Sequence, residues 1–184
     1  MAEIKVMFNL CNVHYAVKTD AGYLTPVKVP GAVSLSLEAQ GDEVKSYADG
    51  IAYYVSYGNT GYSGSLEMVL FPAQMYKDIW QNEETEDKVL VEYANKNSAE
   101  FALLFQIDGD KNNAYYVIYD VTASRPGIAA ETTNASKTPK TQSCNITAAP
   151  LSDGKVRAST THETTEQVKT DWFTKVYGQT MAPA

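Results

Sequence analysis

The sequence predicts a mainly β chain: an antiparallel β-sandwich or barrel with one flanking helix and a short C-terminal helix. Three observations carry this. Residues 32–39 (AVSLSLEA) and 62–71 (YSGSLEMVLF) alternate apolar and polar side chains, the period of a half-buried strand. Turn-forming residues separate the β-rich runs at hairpin spacing. The repeated strand–helix alternation that marks a parallel sheet is missing.

The elements follow in chain order. NVHYAVKT (12–19) is rich in Val and Tyr and ends at the turn-like DAG (20–22). In 32–39, Val33, Leu35 and Leu37 share one face, and Ser34, Ser36 and Glu38 the other. IAYYVSY (51–57), the turn signal GNTG (58–61) and 62–71 predict a hairpin. In its second strand Leu66, Met68 and Leu70 face away from Ser63, Ser65 and Glu67. Pro72 suits the first turn of a helix over 72–81, with Met75, Ile79 and either Tyr76 or Trp80 on one face. The acidic run NEETED (82–87) reads as a solvated loop. Strands follow at 88–94 and 99–107, the second nearly continuously apolar as for a strand covered on both sides. The turn DGDKNN (108–113) and AYYVIYDVTA (114–123) complete a hairpin with it. Residues 124–140 lack periodicity and read as an extended connection. TQSCNITAA (141–149) and GKVRASTT (154–161) predict a last hairpin around PLSDG. Thr164 and Gln167 fit a capping box for a helix over 166–177, with Val168, Trp172 and Val176 four apart and Gly178 as its stop. The expectation is about eight strands and two helices in one domain over residues 1–184.

Composition narrows the function. At 44% hydrophobic and 20% charged, the 184-residue chain is globular in character. A net charge of −7 speaks against general nucleic-acid binding, which needs Lys and Arg to displace phosphate counterions. No stretch approaches the roughly 20 apolar residues of a membrane span. MAEIKVMFNLC lacks the basic start and apolar core of a signal peptide. Synthesis in a cytoplasm is therefore expected. On that expectation the triplets Asn134-Ala-Ser136 and Asn145-Ile-Thr147 are chance matches to a glycosylation signal. Cys11 and Cys144 follow no metal or redox spacing and read as reduced, partly buried small hydrophobes.

No motif supports catalysis, a metal or a cofactor. Asp108-x-Asp110-x-Asn112 opens like a calcium loop, but Asn113 and Tyr119 stand where that loop needs Gly and Glu. Cys11 and His14 lack a third partner to orient them as nucleophile and base. Glu38 and Glu67 form the one formal glycosidase pair, without a specific spacing. The Tyr-rich strand 51–57 leaves a lectin-like carbohydrate-binding sandwich as the alternative function.

An ordered set of stretches resembles a known family. They are NVHYAV (12–17), VPGAVSLSLEAQGD (29–42), YADGIAYYVSYGNTGYSGSLEMVLFP (47–72), FALLFQIDGDK (101–111), SRP (124–126) and DGKVRASTTHETTEQVKTDWFTKVYG (153–178). Together they resemble the major tail protein, or tail tube subunit, family of long non-contractile-tailed bacteriophages of Gram-positive hosts. Residues 127–140 carry none of the likeness. The resemblance implies a tail-tube β fold and hexameric rings that stack into a tube in the virion. The tube encloses the tape-measure protein and conducts DNA to the host without specific binding. The implied partners are further copies of the chain, the tape-measure protein, the tail terminator and the distal tail protein. No catalytic residue, cofactor or membrane is implied.

Two sets of residues follow as candidates. The polar strand faces, Ser34, Ser36, Glu38, Ser63, Ser65 and Glu67, are expected to line the lumen, where acidic and small polar groups let phosphate slide. Asp49, Tyr53, Tyr54, Tyr57 and Tyr62 are expected at a subunit interface, with rings on both faces of 51–57: one face on a core, the other on a neighbouring copy. Asp49 is expected at the entrance to that hairpin. Segments 1–11, 39–50 and 124–140 are expected to be mobile or to bridge rings, and 39–50 is read as a loop.

Overall fold

A computed structural model describes residues 3–132 and 139–183. Its elements, in order, are β1 (Met7–Thr19), β2 (Gly22–Tyr23), β3 (Val27–Lys28), β4 (Ala32–Gln40), β5 (Glu43–Ala48), β6 (Ile51–Tyr57) and β7 (Gly61–Met68), then helix α1 (Ala73–Asp78). After these come β8 (Glu83–Glu84), β9 (Leu90–Val91), β10 (Phe101–Gly109), β11 (Ala114–Ala123), β12 (Gln142–Ala148), β13 (Arg157–Ser159) and α2 (Glu166–Asp171). The chain is mainly antiparallel β with two short helices, as expected.

The principal sheet runs β2-β1-β10-β11-β12-β7-β4, with β3 beside β1 and β13 beside β11. It curls until β1 and β4, near its two ends, approach each other. The concave side holds the first core. Leu66 and Met68 of β7, Cys144 and Ile146 of β12, and Phe101, Leu103 and Phe105 of β10 point into it. Segment 71–80 caps this core with Phe71, Met75, Ile79 and Trp80. The Trp80 indole N–H donates to the Ser124 carbonyl at 3.0 Å, and its ring meets Phe71 edge-on at 5.4 Å.

The alternate residues of β10 serve a second core on the opposite side. Ala102 and Leu104 pack there with Val117, Tyr119, Tyr23, Trp172 and Val176. Trp172 donates to the Tyr116 carbonyl at 3.2 Å, and the Tyr119 hydroxyl to the Tyr177 carbonyl at 2.8 Å. The unbroken apolar run 101–105 thus reflects a strand buried on both faces, as the sequence predicts.

Several pairings differ from expectation. Strand β6 pairs with β5, not with β7. Residues 39–50 are therefore not a loop, because 43–48 form the partner strand. The turn is Asp49-Gly50, where φ is 52° and 77°. Two positive φ values in a two-residue loop match the twist of a hairpin, which GNTG cannot supply as tightly. Strand β7 pairs instead with β4 and β12.

The expected hairpin of 141–149 with 154–161 does not form. Both segments pair with β11, which divides between them. Residues 116–118 take β13 and 121–123 take β12. The divide falls at a bulge, where Asp120 adopts φ 49° and the register to β10 slips. The 99–107/114–123 hairpin forms as expected.

Smaller departures have local causes. A register slip at Val33 puts Ala32 against the core and leaves Val33 exposed. Of 88–94, only Leu90–Val91 pair, and their partner is Glu83–Glu84 of the acidic run. Helix α2 stops at Asp171, and Thr165 is its N-cap without a side-chain bond. The predicted cap residue Thr164 instead accepts from the Thr161 N–H at 2.9 Å, closing a turn before the helix. Within 124–140, Arg125 is anchored. It donates to Asn82 Oδ1 and to the Tyr93 and Lys96 carbonyls, and its NH1 lies 3.4 Å from Glu92. Residues 133–138, and with them Asn134-Ala-Ser136, lie outside the described residues.

Candidate functional site

Strands β4 and β7 carry the six expected polar residues, and the register aligns them. Ser34 stands opposite Glu67, Ser36 opposite Ser65, and Glu38 opposite Ser63. Neighbouring antiparallel partners project to the same side of a sheet. The Ser34 hydroxyl donates to Glu67 Oε2 at 2.9 Å, and the Thr141 hydroxyl donates to Glu67 Oε1. Those bonds, Thr141's first, hold the Glu67 carboxyl below its usual range.

The same face widens onto β12. Ser143, Asn145 and Thr147 stand opposite Glu67, Ser65 and Ser63, and all three are exposed. Sequence reading missed them as members of the site. The signal was the alternation Ser143-Cys144-Asn145-Ile146-Thr147-Ala148, whose apolar members are all buried. The three-strand face holds nine hydroxyl, amide or carboxylate side chains with two negative charges and no positive one. The two strands approach closely here: a Cβ at Gly64 would lie 1.8 Å from the Ser36 carbonyl oxygen.

The face does not assemble a hydrolytic pair. Glu38 and Glu67 lie four residues apart along the ribbon, about 13 Å at strand spacing. Retaining and inverting glycosidases hold their carboxyls roughly 5–9.5 Å apart. In the failed calcium motif, the Asp108 oxygens accept from Asn9, Cys11 and Gln106. Cys11 and Cys144 are free thiols. Burial raises both, Cys144 to about 11.

Beyond this face the same two chain segments continue as an arm. Gln40 pairs with Gly61, the Thr60 N–H donates to the Gln40 carbonyl, and the Gly58 N–H to the Asp42 carbonyl. The ladder then runs on from Glu43 opposite Tyr57 to Ala48 opposite Ile51. β4–β5 and β6–β7 are thus one long ribbon, whose outer part pairs with no other strand among the described residues. Six residues of β5 make that part about 20 Å long.

Its side chains are exposed on both faces. Tyr53 is 78% exposed, Tyr54 59% and Tyr57 73%, with Tyr47 and Ile51 similarly open. The expectation that one face of this strand rests on a core is therefore corrected: neither does. Asp49 is at the tip rather than the entrance. Tyr62 separates from the set. It is half-buried at the root of the ribbon, with the Arg157 guanidinium 5.5 Å from its ring centroid. The Tyr57 hydroxyl donates across the arm to Glu43 at 2.7 Å. Lys45 first, and then Tyr57, hold the Glu43 carboxyl below its usual range.

Tyr62 also lines an open apolar groove of about 360 Å³ where the curled sheet leaves β1 and β4 unjoined. Phe8, Leu10, Leu35, Leu37 and Tyr116 line it too, and Phe8 is 70% exposed.

No family model matches the chain, and no curated protein does. Among solved structures it is similar to a chain of the sheath–tube complex of an extracellular contractile injection system, PVC, in the extended state. That match has 11% identity and TM-score 0.42, covering 82% of this chain and 88% of that one. It is similar to a chain of the tube-terminating cap of the anti-feeding prophage, at 11% identity and TM-score 0.42, covering 87% and 96%. A third is a chain of the PVC sheath/tube terminator, at 10% identity and TM-score 0.45, covering 85% and 98%.

Proposed function

We propose that the chain is the structural subunit of a bacteriophage tail tube of the long non-contractile type, built of stacked hexameric rings. The tube encloses the tape-measure protein, ends on terminator and distal tail proteins, and conducts DNA. One observation carries this reading: a cation-free polar sheet face and a two-sided aromatic arm belong to a single ribbon. A ligand-binding module needs a concave site with converging polar groups. The arm is convex, and its rings point to opposite sides, so a lectin-like groove is the weaker fit.

The parts then have roles. Ser34, Ser36, Glu38, Ser63, Ser65 and Glu67, extended by Ser143, Asn145 and Thr147, face the lumen. Two carboxylates per subunit repeat around a ring and repel phosphate, while the small hydroxyls offer no cation for it to hold. The arm packs on neighbouring copies through Tyr53, Tyr54 and Tyr57. The free outer edge of β4 pairs with the next subunit, which removes an exposed edge by closing the ring.

Negative-stain microscopy of the purified chain over a concentration series tests the reading. Rings or hollow tubes are expected. A strict monomer at high concentration, or a small oligomer that binds sugars through the arm, counts against it. In an assembled structure, the nine polar side chains are expected on the channel wall; finding them on the outer wall would overturn the lumen assignment alone.

A further inference from the structure

Away from both surfaces, Lys18, Glu100 and Asp120 converge from three adjacent strands at the margin of the second core. Lys18 lies near the end of β1, Glu100 immediately precedes β10, and Asp120 sits in the β11 bulge. Lys18 Nζ donates to Glu100 Oε2 at 2.7 Å and to Asp120 Oδ1. The backbone holds this arrangement. The Lys18 N–H donates to the Glu100 carbonyl at 2.8 Å, and the bulge at φ 49° turns Asp120 toward the lysine. The Asp120 side chain is only 16% exposed. Beside the three groups, the Tyr23 hydroxyl is buried and donates to no acceptor among the described residues.

We propose that Lys18 and Asp120 react to form an intramolecular isopeptide, an amide between Lys18 Nζ and Asp120 Cγ, with Glu100 as the proton carrier. The Lys18 ammonium passes a proton through Glu100 to the Asp120 carboxyl, and the neutral amine attacks Cγ of Asp120. The Tyr23 hydroxyl donates to the oxyanion that develops. Glu100 moves a proton from the attacking nitrogen to the departing hydroxyl, the Cγ–O bond breaks, and water leaves. In sum one ammonium and one carboxylate become one amide and one water. Glu100 ends as the carboxylate it began as, and no electron acceptor is needed. Burial disfavours the lysine charge, but the bonds to Asp120 and Glu100 outweigh it and hold the Lys18 pKa above its usual range. The amine is therefore scarce and the reaction slow. This inference does not depend on the tube reading.

Intact-mass spectrometry of the full chain, after several days at neutral pH, tests it. The wild-type mass is expected to fall by one water, and a tryptic digest to yield a branched peptide joining Lys18 to Asp120. Asp120→Asn is expected to lose one ammonia instead. Lys18→Arg keeps the ion pair but cannot form the bond, and Glu100→Gln removes the carrier. Both are expected to fold, by circular dichroism, and to keep full mass. Full wild-type mass with Lys18 and Asp120 in separate linear peptides overturns the proposal. So does a water loss that persists in Lys18→Arg, which would mark cyclisation at an aspartate.

Discussion

The triple substitution Tyr53→Ser, Tyr54→Ser, Tyr57→Ser separates what the arm does for the subunit from what it does for the assembly. In the isolated subunit the three rings are 59–78% exposed and belong to neither core. Their removal forfeits little burial. The Tyr57–Glu43 bond is itself exposed and is replaced by water. The expected change in unfolding free energy is within about 0.5 kcal/mol per site, the range of ordinary surface changes.

In the proposed assembly the expectation differs. A tyrosine buried at the centre of an interface is commonly worth about 2 kcal/mol or more on truncation. Three rings then come to roughly 6 kcal/mol per subunit, or about a 10⁴-fold loss in association constant. Urea unfolding read by circular dichroism and sedimentation velocity at a series of concentrations measure the two quantities. Near-unchanged urea midpoints with loss of rings or tubes is the expected pair. Tubes assembling at wild-type concentration would falsify the role of the arm. A large drop in subunit stability would show that the rings pack on their own domain.

Other outcomes follow from the interior. Gly64→Val places a branched side chain where even a Cβ lies 1.8 Å from the Ser36 carbonyl; β4 and β7 must part, at a cost of roughly 3 kcal/mol in urea unfolding. Trp80→Ala empties a fully buried position in the cap of the first core and removes the bond to Ser124, for about 3–5 kcal/mol in the same assay. Arg125→Ala frees the Tyr93 and Lys96 carbonyls, so amide exchange over 82–99 is expected to quicken while the core strands stay protected. Burial raises the Tyr119 pKa to about 12 against an unfolded value near 10. Its contribution is fully present below pH about 10 and is lost as pH rises toward about 12, amounting to roughly 2–3 kcal/mol. An alkaline denaturation series checks this, and Tyr119→Phe is expected to flatten that limb.

What the sequence revealed divides along burial. The faces of β4, β7 and β10 were legible because one side of each strand meets a core, and apolar periodicity records that contact. The six polar positions came out in register for the same reason: their alternates Leu35, Leu37, Leu66 and Met68 fix the pairing. The arm was misread because it touches no core. With Val44, Tyr47, Tyr53 and Val55 all exposed, no apolar face dictates a partner strand. Turn chemistry alone had to decide between ADG and GNTG. Strand β12 was assigned to the wrong neighbour because its alternation shows that it has a buried face, not which strands flank it. The division of β11 at Asp120 could not be read either, since a bulge leaves no apolar gap in AYYVIYDVTA.

The continuity of the ribbon links the two proposed surfaces more tightly than their separate positions suggest. β4 and β7 place the polar residues on one side and the core residues on the other, so turning that face toward a channel fixes how the subunit is rotated about the tube. The arm leaves the sheet along the same two strands, past Gly41 and Gly58, whose backbones meet so closely that a Cβ at Gly41 would lie 1.9 Å from the Gly58 oxygen. That glycine crossing allows the ribbon to twist but not to separate. Strands of a closed barrel run inclined to its axis. In the proposed tube an extension along them would leave the plane of its own ring, and its exposed tyrosines are expected to meet a copy in the next ring rather than only the neighbour beside it. On this geometry, shortening the arm by removing residues 45–54 while keeping the Asp42–Gly58 crossing leaves ring closure through the β4 edge intact and abolishes stacking. Single rings in place of tubes are the expected micrograph, and long tubes from the shortened chain would show that stacking is carried elsewhere.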